Sequence, residues 1–130
     1  MSRLLLDTTV LIDALRGRAA AGRLRELRRR GVEPWVCPIS VEEMWRGLAD
    51  AERPTGARLL SSLRTAPLGY SEGTRAGAWR RSFAEQGIDL HQADCLIAAA
   101  AVGVEAALAT GNPRDFPMTG LVVEHWAAGA

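Results

Sequence analysis

The chain opens on an apolar run, Leu4-Leu5-Leu6, that leads straight into Asp7, and residues 3–6 read as a short buried strand. A helical spacing of apolar positions follows over 9–16, and a second, arginine-rich one over 19–30 is stopped by Gly31. Residues 33–37 look like a second strand. Pro38 ends it, and Ser40-Val41-Glu42-Glu43 opens a helix running to about Asp50. Pro54 suits the first turn of a helix over 54–65, 67–70 reads as a brief extended segment, and 72–86 as a long helix closed by Gly87. The alanine-rich stretch 91–102 predicts a further helix, 106–109 a strand and 121–124 a last short strand. No internal repeat is visible.

Strands that alternate with helices imply an α/β fold with a mostly parallel sheet covered on both faces, because parallel neighbours need a crossover and a helix supplies it. In such sheets, loops leaving the carboxyl ends of the strands meet in a crevice, and helix amino termini point into it. Candidate chemistry is therefore sought at that edge.

A length of 130 residues fits one domain over 1–130, with a real core. Hydrophobic residues at 48% and charged residues at 24% suit a soluble globular protein. The net charge of +1 gives no support for a broad basic surface, so any nucleic-acid contact is expected to be local. All 16 basic residues are arginine, which base composition of the gene explains. Cys37 and Cys95 have no Cys or His at zinc-ligand spacing and read as buried free thiols. Asp7 interrupts the amino-terminal apolar run, no small-residue cleavage site follows, and the apolar stretch 95–110 contains Glu105 and is too short to span a bilayer. A cytoplasmic protein without a membrane partner is expected.

Four acids fall where the crevice is expected. Asp7 follows the first strand, where a helix N-cap is its simplest role. Glu43 completes a Ser40-x-x-Glu43 capping box, and Glu42 competes with it from about 100° around the helix. Asp94 lies in the first turn of an apolar helix, where the dipole favours an acid, and Asp115 sits in a polar turn after the 106–109 strand. Each has an ordinary explanation alone. Together, four close carboxylates would repel one another, which makes sense chiefly around a divalent cation, and oxygen-only ligands select magnesium or manganese over zinc.

At these residues the sequence resembles the PIN-domain ribonucleases, most closely the VapC toxins of toxin-antitoxin pairs. The likeness covers nearly the whole chain. It rests on Leu5-Leu6-Asp7-Thr8-Thr9-Val10-Leu11-Ile12-Asp13, Glu43-Met44-Trp45-Arg46-Gly47, Asp94-Cys95-Leu96-Ile97-Ala98-Ala99 and Thr110-Gly111-Asn112-Pro113-Arg114-Asp115-Phe116, weak singly and specific together. In that family a Gly stands four places after the Glu, so Gly47 selects Glu43 over Glu42. Asp7, Glu43 and Asp94 carry over directly, and the fourth acid maps best to Asp115, with Asn112 also standing where relatives carry Asn or Asp. The resemblance implies a PIN-like α/β/α sandwich, a homodimer, an RNA substrate and a VapB-type antitoxin whose carboxyl-terminal segment crosses the active-site groove. The expected reaction is hydrolysis by water activated on magnesium, bridged by Asp7 and Asp94 and supported by Glu43 and Asp115, leaving 5′-phosphate and 3′-hydroxyl ends.

Thr9, Arg46, Thr110 and Asn112 are the candidates for substrate contact. For Arg46, as for Arg16 and Arg18, a solvated helix face is the simpler account. His91 suits capping or packing, and Trp45 suits the core better than stacking on a base. Two other classes compete. A phosphatase of the haloacid dehalogenase type needs a second Asp where Thr9 stands, and a phosphate-binding lysine that this chain lacks. A non-catalytic PIN-like interaction module or scaffold would use some of the acids only as caps.

Overall fold

The computed structural model describes residues 2–129, and its backbone alternates strand and helix almost throughout. Strand β1 (Arg3–Leu6) leads into α1 (Thr8–Leu15) and α2 (Ala19–Arg29). Strand β2 (Glu33–Val36), α3 (Pro38–Gly47), a 3-10 turn (Asp50–Glu52) and α4 (Arg53–Ser61) follow. Then come β3 (Arg64–Thr65), α5 (Tyr70–Ala84), α6 (Gln92–Gly103), β4 (Ala107–Thr110), a second 3-10 turn (Pro113–Asp115) and β5 (Val123–His125). The five strands form one sheet in the order β3-β2-β1-β4-β5, and each pairing is parallel. This is the parallel sheet covered on both faces that the alternation predicts, and the α/β/α sandwich that the resemblance implies.

The period of two along each strand divides the core into two layers. Leu5, Trp35 and Leu108 point into the layer covered by α5 and α6, with Ala76, Cys95 and Ile97. Leu4, Leu6 and Val36 point the other way, against Val10, Leu11, Leu24, Met44 and Leu60 of α1 to α4. The near-continuous apolar sequence of β1 is thus what a central strand buried on both faces requires. Cys37 and Cys95 are free and buried, and burial pushes the Cys37 thiol up to about 11. Among the described residues no helix is long and apolar enough to cross a membrane.

Several boundaries differ from the sequence expectation. The third strand is Arg64–Thr65 rather than 67–70, and the helix before it ends at Ser61. Pro67 has no N–H for a ladder, whereas Ala66 donates to Val36 O at 2.8 Å and closes the pairing one residue earlier. Both residues of β3 are exposed, so no apolar signal marks the strand. Helix α3 starts at Pro38, which sits in its first turn, and ends at Gly47 rather than Asp50. Helix α5 starts earlier than expected, because the Gly69 N–H donates to Glu72 Oε1 at 2.7 Å and caps the helix there. The last strand starts two residues later than the expected 121–124 and ends one residue later. Gly31 does stop α2: at φ +77° it lets its own N–H reach Arg28 O and that of Val32 reach Leu27 O.

Replacing Leu108, fully buried in β4, by alanine is expected to destabilise the fold by about 2–5 kcal/mol in urea unfolding. Val122→Ala, at a position 68% exposed, should cost less than about 0.5 kcal/mol. Equal losses at the two positions would contradict the two-layer core.

Candidate active site

The carboxyl end of β1 places Asp7. Its N–H continues the ladder to Ala109 O at 2.9 Å, and its own carbonyl accepts from Val10 and Leu11 to begin α1. Asp7 is the N-cap of α1, as its simplest sequence reading held. Oδ1 accepts from the Thr8 N–H at 2.8 Å, and Oδ2 accepts from the Thr110 hydroxyl at 2.7 Å and the Thr9 hydroxyl at 3.4 Å. The side chain is buried, and burial raises its pKa; the Thr110 and Thr8 bonds oppose the rise, and the charge of Glu43 adds to it.

The expected capping box at Ser40 does not form. Ser40 lies inside α3, fully buried, because the helix starts earlier at Pro38. Its hydroxyl lies 3.0 Å from that of Thr8, and the Thr8 hydroxyl donates to Glu43 Oε1 at 2.7 Å. Glu43 therefore turns toward the carboxyl end of β1. Glu42 points to solvent and pairs with Arg46 at 2.7 Å, so the two neighbouring acids are divided between crevice and surface.

Asp94 is half-buried in the first turn of α6, after the N-cap residue His91. Its pKa is raised to about 6, first by burial and then by the charges of Asp115 and Asp7. The electrostatic interaction with His91 works against the rise, and that with Glu43 adds to it. Asp115 closes the second 3-10 turn and is exposed. Four acids from four separate stretches of chain thus share one electrostatic field.

Among the described residues no three His, Cys, Asp or Glu side chains form a ready-made metal cage. The donor chemistry nevertheless fits a magnesium-like ion. Such an ion retains several waters and takes only one or two carboxylates directly, so an open array of oxygen ligands suits it better than a closed one. A dication would also offset the neighbouring charges that add to the effect of burial on Asp94.

The remaining candidates divide. Thr9 and Thr110 flank Asp7 directly. Asn112 is exposed and contributes its backbone, donating its N–H to Thr110 Oγ1 at 3.0 Å. Arg46 lies on the solvent face of α3 in its ion pair with Glu42. Trp45 is 38% exposed rather than in the core, with the Arg53 guanidinium 5.6 Å from its ring centre. A cavity of about 640 Å³ lies at the opposite edge of the sheet, among Arg3, Glu105 and Ala107, and contains none of the four acids.

Sequence reasoning passed over two residues. Thr8, whose N–H bonds Asp7, reaches Glu43 35 positions further on, a contact visible only once α1 and α3 are packed. Asp13 is buried on α1, bonded to Arg18 at 2.9 Å and to the Gly129 N–H at 2.8 Å. Its one sequence signal is an acid amid apolar helix positions.

Comparison with known proteins agrees with this architecture. The sequence pattern of the PIN domain family matches residues 4–119. Ribonuclease VapC19 of Mycobacterium tuberculosis is 37% identical over 119 residues, spanning 88% of this chain and 92% of the relative. Ribonuclease VapC10 of the same organism is 35% identical over 115 residues, spanning 88% and 86%. Among solved structures, VapBC2 from Rickettsia felis, bound to a DNA fragment from its promoter, superposes with a TM-score of 0.81 at 21% identity, covering 95% of this chain and 98% of that one. With the match running from the first strand past Asp115, and with VapC relatives aligned over most of its length, the chain belongs to the PIN-domain family and to its VapC branch.

Proposed function

We propose that this chain is an endoribonuclease, the toxin of a toxin-antitoxin pair, and that it hydrolyses RNA phosphodiesters at Asp7, Glu43, Asp94 and Asp115 with bound magnesium or manganese. The observation that carries the reading is the position of Asp94, half-buried on α6 and held well above the usual carboxylate range by burial and by the charges of Asp115, Asp7 and Glu43. A fold does not concentrate like charges from four chain segments for stability. Family membership supports the reaction, since both mycobacterial relatives carry the name ribonuclease. The Rickettsia neighbour is a VapBC assembly, which supports a VapB-type antitoxin as partner.

A bound divalent ion would supply a water of lowered pKa and charge to offset that of the scissile phosphate. Asp7 and Asp94, the acids most raised by burial, would hold it, with Glu43 and Asp115 completing the field. The chain's own residues prepare that arrangement. The Thr8 N–H and Thr110 hydroxyl fix the Asp7 carboxylate from two sides, and the Thr8 hydroxyl fixes Glu43. Arg46 is free to turn to a substrate phosphate by giving up an exposed pair with Glu42 that water already screens.

Incubation of total cellular RNA with purified, antitoxin-free protein tests the reading. Discrete fragments are expected with magnesium, none with EDTA, and none with Asp94→Asn at a preserved circular dichroism spectrum. RNA left intact by folded, metal-supplemented protein would instead favour a non-catalytic binding module.

A pH dependence also follows. Asp94 has a folded pKa of about 6, above its unfolded value, so its contribution to stability is present below the unfolded pKa and lost as pH rises through about 6. Full shielding at that shift would correspond to about 3 kcal/mol; for a half-buried group, solvent screening leaves on the order of 1 kcal/mol. Metal-free Asp94→Asn should therefore melt a few degrees above the unsubstituted protein at pH 7.5, the difference shrinking toward pH 4. Manganese affinity of the unsubstituted protein should fall by up to about tenfold per pH step below 6, as protons compete for Asp94. A melting point for Asp94→Asn lower than wild type at pH 7.5 would show that the carboxylate is not under repulsion.

A further inference from the structure

Thr9 and Asp13 stand one helical turn apart on α1, so their side chains share a face. Each receives a backbone N–H from a different segment. Gly111 donates to Thr9 Oγ1 at 3.1 Å, and Gly129 donates to Asp13 Oδ2 at 2.8 Å. Between those two bonds, the Trp126 N–H donates to Thr110 O at 2.9 Å, and the Trp126 ring is buried in the layer beneath α1 and α2. The segment 126–129 therefore runs from the end of β5 across the loop after β4 and ends on α1.

It lies hard against Gly111. A Cβ added there would sit 3.3 Å from Thr9 Oγ1, 3.4 Å from the Trp126 carbonyl oxygen and 3.5 Å from Ala128 Cβ. Thr9 Oγ1 is in turn 3.4 Å from Asp7 Oδ2. Hydrogen bonds thus join Gly111 through Thr9 to Asp7 and Gly129 to Asp13, and segment 126–129 lies over Gly111 with no room left for a side chain between them. Asp13 is buried, yet Arg18, its ionic partner among the described residues, is 45% exposed in its side chain. A buried carboxylate so paired is a weak source of stability, which leaves its place in the fold to be explained.

We propose that Asp13 is a positioning residue for Asp7: it latches segment 126–129 across Gly111, and the latched segment holds Gly111 and Thr9 where they orient the Asp7 carboxylate. The functional consequence rests on the metal-dependent reading above, but the latch itself is a property of the metal-free protein. Asp13→Asn retains an oxygen for the Gly129 N–H and loses the ion pair and hydrogen bond with Arg18. Asp13→Ala loses both.

Two measurements test this, amide hydrogen exchange in metal-free protein by NMR and manganese titration followed by the electron paramagnetic resonance of the free ion. Asp13→Ala is expected to lose protection selectively at Gly111 and to bind manganese about tenfold more weakly, with Asp13→Asn within about twofold of wild type in both. Unchanged protection at Gly111 in Asp13→Ala overturns the proposal. So does a loss spread evenly over all core amides, which is what simple destabilisation would give. Should Asp13→Ala fail to fold, Gly111→Ala decides from the other end: its Cβ should speed exchange at Gly129 and weaken manganese binding, and no change in either overturns the latch. If the wild type binds no manganese, the metal-centre reading falls, while exchange at Gly111 still decides the latch.

Discussion

Asp7 is a carboxylate taken out of water at the end of the central strand, and much of the surrounding chain is arranged around the cost of keeping it there. Burial alone would drive such a group toward its neutral form. Three donors counter that tendency: an amide from its own helix start, a hydroxyl from the first turn of α1, and a hydroxyl from the end of β4. Because two of these lie on α1 and the third on β4, the charge can be satisfied only when strand, helix and neighbouring strand are assembled in register. The pairing of Leu6 with Ala109 supplies that register.

The other three acids are brought to Asp7 by topology. Parallel strands send their carboxyl ends to one edge, so β1 and β4 deliver Asp7 and the Asp115 loop there, and α3 approaches from the end of β2. Helix α6 enters from outside the strand order, with its alanine face embedded in the core and its acidic first turn at the same edge. The small side chains from Ala98 to Ala101, all fully buried, let that helix lie close to the sheet. Packing and charge therefore oppose each other at Asp94: the apolar helix draws the acid inward, and the neighbouring acids resist its ionisation.

Much of this was legible along the chain. The alternation of elements, the buried character of β1 and the candidate acids could be read from local pattern, because a two-faced strand and a helix stripe leave their periods in sequence. What could not be read was set by packing at a distance. Nothing local distinguishes Ser40 as an N-cap from Ser40 as a buried helical residue; the early start at Pro38 and the Thr8 hydroxyl decide it. Strand β3 has two exposed residues and is defined wholly by its partner β2. Asp13 reads as one more polar position on α1 until a glycine amide 116 residues away is found on it.

The short outer strands carry a consequence for how other chains can engage this protein. β3 offers two residues at one border of the sheet, with Arg64 tied to Glu33 at 3.0 Å, and β5 offers three at the other, two of them the exposed Glu124 and His125. An incoming peptide that sought to extend the sheet would find too few free amides and carbonyls for a ladder, and charged side chains beside them. Recognition by a protein partner is thereby directed to helices and loops, which leaves side-chain chemistry rather than backbone pairing to decide which partner is accepted.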